Sequence, residues 1–441
     1  MLLVAACSSA GSSESEGTRN SDTLIVGRAA DAISLDPARI TDNESVEICT
    51  QIYESLLRYS PGTNQVEAGL AESWRVSEDG TQWDFELRRN VQFHDGTPMN
   101  AEAVVFSFMR QLDEDHPYHH TDGSGFEFVW GATFKNIRSV KATGDFSVRI
   151  VIERKFAPFA ANLAMFPVAI LSPTAVKKWD QQFYRHPVGT GPFAFVEWTE
   201  GRVVVQRNEK YWGRQPKLKH LVFKAIADAR QRLIALESRA VDVAYSILPE
   251  EEQFVSLHPQ LELYRAAGNN VAYLAINTEN PRFSDLRVRK AINHAINKEP
   301  IVKLAYQGRA IPAQGALPPG QWGYVGASFE YAYDVAKAKS LMEEAIADSQ
   351  FDPSIPIDFY VPTTPRPYLT DPAMVARIIK SDLEAVGLQL RLIEQPFLKH
   401  LNSIRNGAHG ISLIGWVGDN GDPDNYLYVL FDEDNAIKGS A

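Results

Sequence analysis

Two cysteines in 441 residues cannot build a disulfide framework, so the fold must be held by apolar cores. No run of about 18 or more apolar residues occurs, so no segment spans a bilayer as a helix. Basic residues are outnumbered by acidic ones, 44 to 55, for a net charge of −11. That excludes the basic face a nucleic-acid binder needs and names no other partner. Signatures of common enzymes are missing: there is no H-E-x-x-H, no G-x-S-x-G, no G-x-x-x-x-G-K-[ST] and no C-x-x-C. What is present is apolar content. At 44% hydrophobic and 22% charged residues the chain is an ordinary globular one, and its length calls for two or three domains rather than one core.

The chain opens "MLLVAACSSAGSSESEG". A short apolar run with small residues before a cysteine reads as the tail of a secretory signal. The Ser/Gly/Glu-rich stretch that follows reads as a flexible linker. "VAAC" resembles the bacterial lipoprotein box, which makes Cys7 the candidate lipidation site and leaves Cys49 a lone thiol. Only six residues precede Cys7 and none of them is basic, so this start is expected to be cut short.

Further on, "DTLIVGRA" reads as a strand, and apolar residues recur at helical spacing over 45–57. After the Asp79-Gly80 turn, Trp83, Phe85 and Leu87 alternate with Asp84, Glu86 and Arg88, as in a half-buried strand. Asn100 caps a helix to about residue 110, and a second alternating strand lies within 145–152. "HPVGTGPFAFVEWTEGRVVVQRNEKYWG" reads as a turn and a hairpin around Glu200-Gly201. Its "GTGPF" loop lacks the ending of a phosphate loop and does not run from a strand into a helix. From Asn270 helices alternate with apolar strands: strand "VAYLAIN", a helix capped by Asp285, helix "DVAKAKSLMEEAIA", strand "IPIDFYV", a helix stopped at Gly387, and strand "LQLRLIEQ". That alternation predicts an α/β region.

Candidate chemistry is sparse. His116, His119 and His120 share a polar loop and could hold a transition metal, although such loops are ordinarily just solvated. "GWVGDNGDPDN", residues 415–425, carries three aspartates that repel one another unless a positive charge is near. Read as a calcium loop from Asp422, it has Asp424 and Glu433 in register but Leu427 where the sharp turn needs glycine. Asp422 or Asp424 fits better as a helix cap beside Pro423. That leaves Asp419 as the carboxylate without a local task. Arg366, in "PTTPRPYLTDP" directly after a strand, sits on a proline-stiffened loop. By composition alone it is a surface arginine.

From about Asp22 onward the sequence resembles the extracytoplasmic solute-binding proteins of bacterial ABC transporters, in the peptide- and nickel-binding class. The marks are "LDPA", "QIYESLLRY", "LAESWRVSEDGTQWDFELRRNVQFHDGTPMNAEAVVFS", "PVGTGPFAFVEW", "RNEKYWG", "YLAINT", "RVRKAINHAI" and "GDNGDPDN". "RPY" and "GWVGDNGDPDNYLYVLF" are most similar to the dipeptide-binding branch. The resemblance implies an α/β, two-lobed periplasmic-binding-protein clamp with an extra α+β subdomain. On this reading 1–21 is signal remnant and linker, 22–58 and 186–269 are parts of lobe I, 59–185 is the extra subdomain, and 270–441 is lobe II. Family chains continue past "DPDN", so truncation at the C-terminus is expected. Function follows by the same resemblance: capture of dipeptides or short peptides and delivery to an ABC permease, with no cofactor, no metal, no catalysis and no nucleic acid. The protein is expected to be monomeric and extracytoplasmic, in the periplasm or on the outer face of the membrane, which it touches only through a lipid at Cys7. Oligopeptides, glutathione, haem and nickel chelates are alternative ligands on this fold, and a metallopeptidase is the alternative of a different class.

The resemblance further implies that Asp419 takes a ligand's α-ammonium and Arg366 its α-carboxylate, with Trp416, Gly418 and Tyr368 lining the site. A dipeptide carries its two charges a short distance apart, since each residue spans at most about 3.6 Å. One carboxylate and one planar guanidinium at matching separation would measure its length.

Overall fold

The structure is a computed structural model that describes residues 2–6, 22–40, 42–119, 136–326, 331–348 and 351–432. The chain divides into two compact units, Met1–Ala266 and Ala267–Ala441.

In the first unit the alternating stretch forms strand Gln82–Leu87, with Trp83, Phe85 and Leu87 buried. It pairs antiparallel with Ala71–Val76 and with Ser147–Ile152, and Ile137–Gly144 completes a four-stranded sheet. On the outer face Arg149 meets Asp84 at 2.6 Å. Helix Ala101–Leu112 begins where expected, because Asn100 accepts a hydrogen bond from the Ala103 amide. Its buried residues Val104 and Phe108 join Phe85, Val148, Ile150 and Phe159 in one core.

The same unit holds a seven-stranded sheet. Its order is Leu261–Arg265, Leu2–Ala6, Val243–Tyr245, Thr23–Arg28, His220–Ala225, Arg202–Arg207 and Phe193–Thr199. Leu2–Ala6, whose composition reads as the tail of a signal, lies here as a strand. Cys7 and the linker to residue 21 lie outside the described residues. Cys49 is buried in the core beside this sheet, and burial pushes its thiol well up.

One expectation needs correction. The helix expected over 45–57 spans Asn43–Ile52 and stops there. Tyr53 turns extended and donates its hydroxyl to the Leu35 carbonyl at 3.0 Å. Leu56 and Leu57 are apolar because they are buried in the neighbouring core, which periodicity alone could not tell from a helical face. What closes this helix is the "GTGPF" loop. The Gly191 amide bonds the Ile52 carbonyl at 2.8 Å. A Cβ at Gly189 would lie 2.2 Å from that same oxygen, and one at Gly191 would lie 2.5 Å from the Gln51 oxygen. The glycines are there for this close approach. Next to them the Glu54 carboxylate accepts from Thr190, Tyr211 and Trp212 at 2.9, 2.8 and 2.7 Å. The "PVGTGPF" and "KYWG" marks therefore serve one buried junction.

The second unit holds a four-stranded sheet in the order Asn270–Ile276, Ile411–Val417, Ile357–Pro362, Leu390–Gln395. The first pair is antiparallel and the others are parallel. Helices Leu286–Ala295, Val335–Ala347 and Pro372–Glu384 are capped by Asp285, Asp334 and Asp371, and their apolar faces bury Ile292, Met342 and Leu383 with Phe359 and Ile411. The last of them ends at Glu384, and Gly387 turns the chain with φ of +93°.

Candidate functional site

Strands Ile357–Pro362 and Ile411–Val417 lie side by side and parallel, with Phe359 opposite Ile411. The loop after the first carries Arg366 and the loop after the second carries Asp419. Both candidate charges thus leave the carboxyl ends of neighbouring parallel strands, where open α/β sheets receive ligands.

The arginine loop is held at several points. Arg366 and Leu369 exchange backbone hydrogen bonds of 2.9 and 2.8 Å, which closes a tight turn. Tyr306 donates to the Tyr368 carbonyl at 2.7 Å, and Thr370 donates to the Ala305 carbonyl at 3.0 Å. The Arg366 guanidinium lies over the Phe397 ring, 4.0 Å from its centroid. Its Nε is buried with no hydrogen-bond partner among the described residues. A guanidinium over an aromatic face is held there by the ring's negative face while its N–H donors can still meet an anion.

Tyr368 joins the two loops. Its ring is buried and lies so close to Gly415 that a Cβ there would sit 2.4 Å from Tyr368 Cδ2. The strand that leads to Asp419 therefore packs on the turn that carries Arg366. Burial raises the Tyr368 phenol, and the charge of Arg366 opposes that rise.

The aspartate loop is fixed from three sides. The Gly418 amide and the Tyr426 hydroxyl both donate to the Asn269 carbonyl, at 2.7 and 2.8 Å. Any side chain at Gly418 would meet Asn269 Nδ2 at 2.3 Å. Asn425 Oδ1 accepts from Trp416 Nε1 at 2.9 Å and from the Asp419 amide at 3.1 Å. Buried Gln321 donates to the Gly421 carbonyl. Of the three aspartates, neither Asp422 nor Asp424 is the N-cap of helix Asp424–Phe431, which is Pro423 without a side-chain cap; Asp422 lies one residue earlier, its Oδ1 accepting from the Asp424 amide at 2.9 Å. Asp424 lies in the first turn of that helix, where the dipole favours a carboxylate. Burial and the charges of Asp422 and Asp432 nevertheless push it up to about 6. Asp419 is left without a structural task for its charge. Its side chain is exposed, yet the surrounding protein desolvates it and pushes it up to about 6, with a hydrogen bond from the Asn425 side chain opposing. Solvent reaches this carboxylate but protein hems it in. A cationic group arriving there would stabilise its charged form.

Five residues singled out in the sequence therefore share one end of one sheet: Asp419, Arg366, Trp416, Gly418 and Tyr368. The sixth, Cys7, lies outside the described residues. Sequence reasoning missed Asn425, Phe397, Asn269 and Gln321. Asn425 stands in the quoted "GDNGDPDN" mark but had no role assigned. The others approach the site from 31 to 150 residues away along the chain, which no local pattern reveals.

The described histidines of the metal candidate are engaged by their own neighbours. His116 packs edge-on against Phe106 at 5.1 Å, His119 Nδ1 bonds the Arg110 carbonyl at 2.9 Å, and His120 is outside the described residues. Among the described residues no group of three or more His, Cys, Asp or Glu side chains could hold a metal ion. Ser412 and His400 touch at 3.2 Å but both are wholly buried, so no substrate reaches that pair. No helix among the described residues is long and apolar enough to cross a membrane.

Comparison with known proteins gives a consistent picture. The family model for bacterial extracellular solute-binding proteins, family 5 Middle, matches residues 65–438. The dipeptide-binding protein of Escherichia coli is 34% identical over 402 residues, 88% of this chain and 74% of that protein. Heme-binding protein A of Haemophilus influenzae is 32% identical over 98% of this chain and 82% of its own. Among solved structures, an ABC transporter-associated periplasmic binding protein from Helicobacter pylori, in complex with the peptide STSA, superposes with a TM-score of 0.79. It is 30% identical, over 95% of this chain and 82% of that one. The chain belongs to the bacterial extracellular solute-binding proteins of family 5, which are extracytoplasmic binding components of transport and not enzymes.

Proposed function

We propose that this protein binds dipeptides or short peptides and delivers them to an ABC permease. The observation that carries this reading is the pair of opposite charges at adjacent strand ends. Arg366 lies over the Phe397 ring with a buried Nε that has no hydrogen-bond partner among the described residues, and Asp419 is a carboxylate raised by burial with no cation beside it among the described residues. The two loops are joined through Tyr368 on Gly415. A zwitterionic peptide backbone supplies both missing charges. Haem supplies carboxylates but no ammonium, and so leaves Asp419 unanswered. A relative with a peptide name and a neighbour solved with a peptide support the same class.

Calorimetry on the wild-type protein tests this. Free di-, tri- and tetrapeptides, an N-acetylated dipeptide, a dipeptide amide and haem are titrated in turn. The free dipeptide is expected to bind one per chain, and more tightly than either blocked form. Preference for tri- and tetrapeptides moves the assignment to longer peptides; binding of haem alone sinks it.

The anchor belongs to the same reading. Cys7 carries a lipid that keeps a monomeric binding protein beside its permease. In a precursor with a complete signal, Cys7→Ser is expected to release the protein from the membrane fraction. A variant that stays membrane-bound removes the anchor from the proposal.

A further inference from the structure

We propose that Asn425 is the positioning residue for amino-terminus recognition: its side-chain amide ties Trp416 to the Asp419 backbone and holds the Asp419 carboxylate ready for an ammonium. The inference rests on the role of Asp419 given above. Asn425 lies in the first turn of helix Asp424–Phe431, and its own amide donates to the Asp422 carbonyl at 3.1 Å. The side chain is thus anchored at a helix start while it reaches back to the strand end. Its Oδ1 accepts from the Trp416 indole at 2.9 Å and the Asp419 amide at 3.1 Å. Both partners can only donate, so oxygen must face them and the orientation of the amide is settled. Through these two bonds one side chain fixes both the indole at the strand end and the backbone that carries the Asp419 carboxylate. The same side chain opposes the rise of Asp419 caused by burial.

The titratable neighbours give Asp419 no other help. Asp422 and Asp424 follow in the loop and carry charge of its own sign. The Tyr426 phenol, itself raised by burial and by Asp419, donates elsewhere, to Asn269. Arg366, on the other loop, lies over the Phe397 ring. Asn425 fixes the backbone on which this carboxylate is mounted and, being neutral, does not cancel the charge the ligand must meet.

The test uses the full chain with alanyl-alanine and its N-acetyl form at pH 7. Losing both bonds that hold the Asp419 turn, Asn425→Leu is expected to bind the free dipeptide about tenfold more weakly or worse. The acetylated form loses little, so the ratio between the two shrinks. Asn425→Asp keeps the acceptor for Trp416 and Asp419 but replaces the donor by a second carboxylate. Carboxyl NMR of the ligand-free protein should then show Asp419 titrating above its wild-type position, because like charges oppose ionisation. A purely structural residue would weaken both ligands by one factor and leave that titration in place, and either result overturns the inference. If wild type itself fails to discriminate the two ligands, the amino-terminus reading falls and this inference with it. If wild type discriminates and Asn425→Leu discriminates equally well, only the inference falls.

Discussion

Replacing Asp419 or Arg366 by alanine is expected to weaken dipeptide binding about 30-fold or more. In the binding mode proposed above, each charge meets an opposite charge of the ligand away from bulk water. Truncating one partner of such a pair costs roughly 2–5 kcal/mol, and 1.4 kcal/mol is a factor of ten. The two variants are told apart by blocked ligands. Acetylating the dipeptide should cost wild type heavily and Asp419→Ala little further; amidation should do the same for Arg366→Ala. Arg366→Lys is also expected to fail in part, by about tenfold, because an ammonium does not offer two parallel donors. If Asp419→Ala keeps the wild-type penalty for acetylation, that carboxylate does not read the amino terminus. If Arg366→Ala keeps the penalty for amidation, the carboxylate end is read elsewhere.

The affinity for a free dipeptide should fall about a hundredfold between pH 7 and pH 4. Asp419 in the empty protein titrates near 6 against an ordinary 3.8, and a ligand ammonium requires the ionised form. Below 6 a proton must leave before the ligand enters, so affinity drops about tenfold per pH unit. Across this range the ligand's amino group stays charged, since it titrates near 8, and its carboxylate begins to protonate only near 3.5. The sign for stability is opposite. Between about 4 and 6 the folded protein binds the proton more tightly than the unfolded chain, so the empty protein loses stability as pH rises through that window. Asp424, also raised to about 6, adds to the stability effect without touching the ligand's charge. Asp419→Asn should abolish the pH dependence of binding. A wild-type profile flat from pH 4 to 7, or an unchanged slope in Asp419→Asn, would remove Asp419 from the site.

Much of the local structure was legible before any coordinates. Strand Gln82–Leu87 is written as strict alternation. The starts of helices Ala101–Leu112 and Leu286–Ala295 are written as Asn100 and Asp285. Caps and alternation act within a few residues, so a linear pattern can record them. The helix expected over 45–57 failed for the complementary reason. Burial makes Leu56 and Leu57 apolar in any conformation, and the stop at Ile52 is set by Gly189 and Gly191, well over a hundred residues later.

The site divides along the same line. By itself the sequence determined which charges to watch: a carboxylate in a Gly-rich turn, an arginine between prolines, and their likeness to a peptide-binding family. Tertiary structure decided why those charges are usable. Parallel pairing of Ile357–Pro362 with Ile411–Val417 brings the two loops to one end of a sheet. Tyr368 packs the arginine turn on Gly415 of the strand that leads to Asp419, Phe397 lies under the guanidinium, and Asn425 holds the turn that carries Asp419. These are contacts between residues far apart in the chain. Their energies depend on desolvation and close approach, and only the folded chain brings those about.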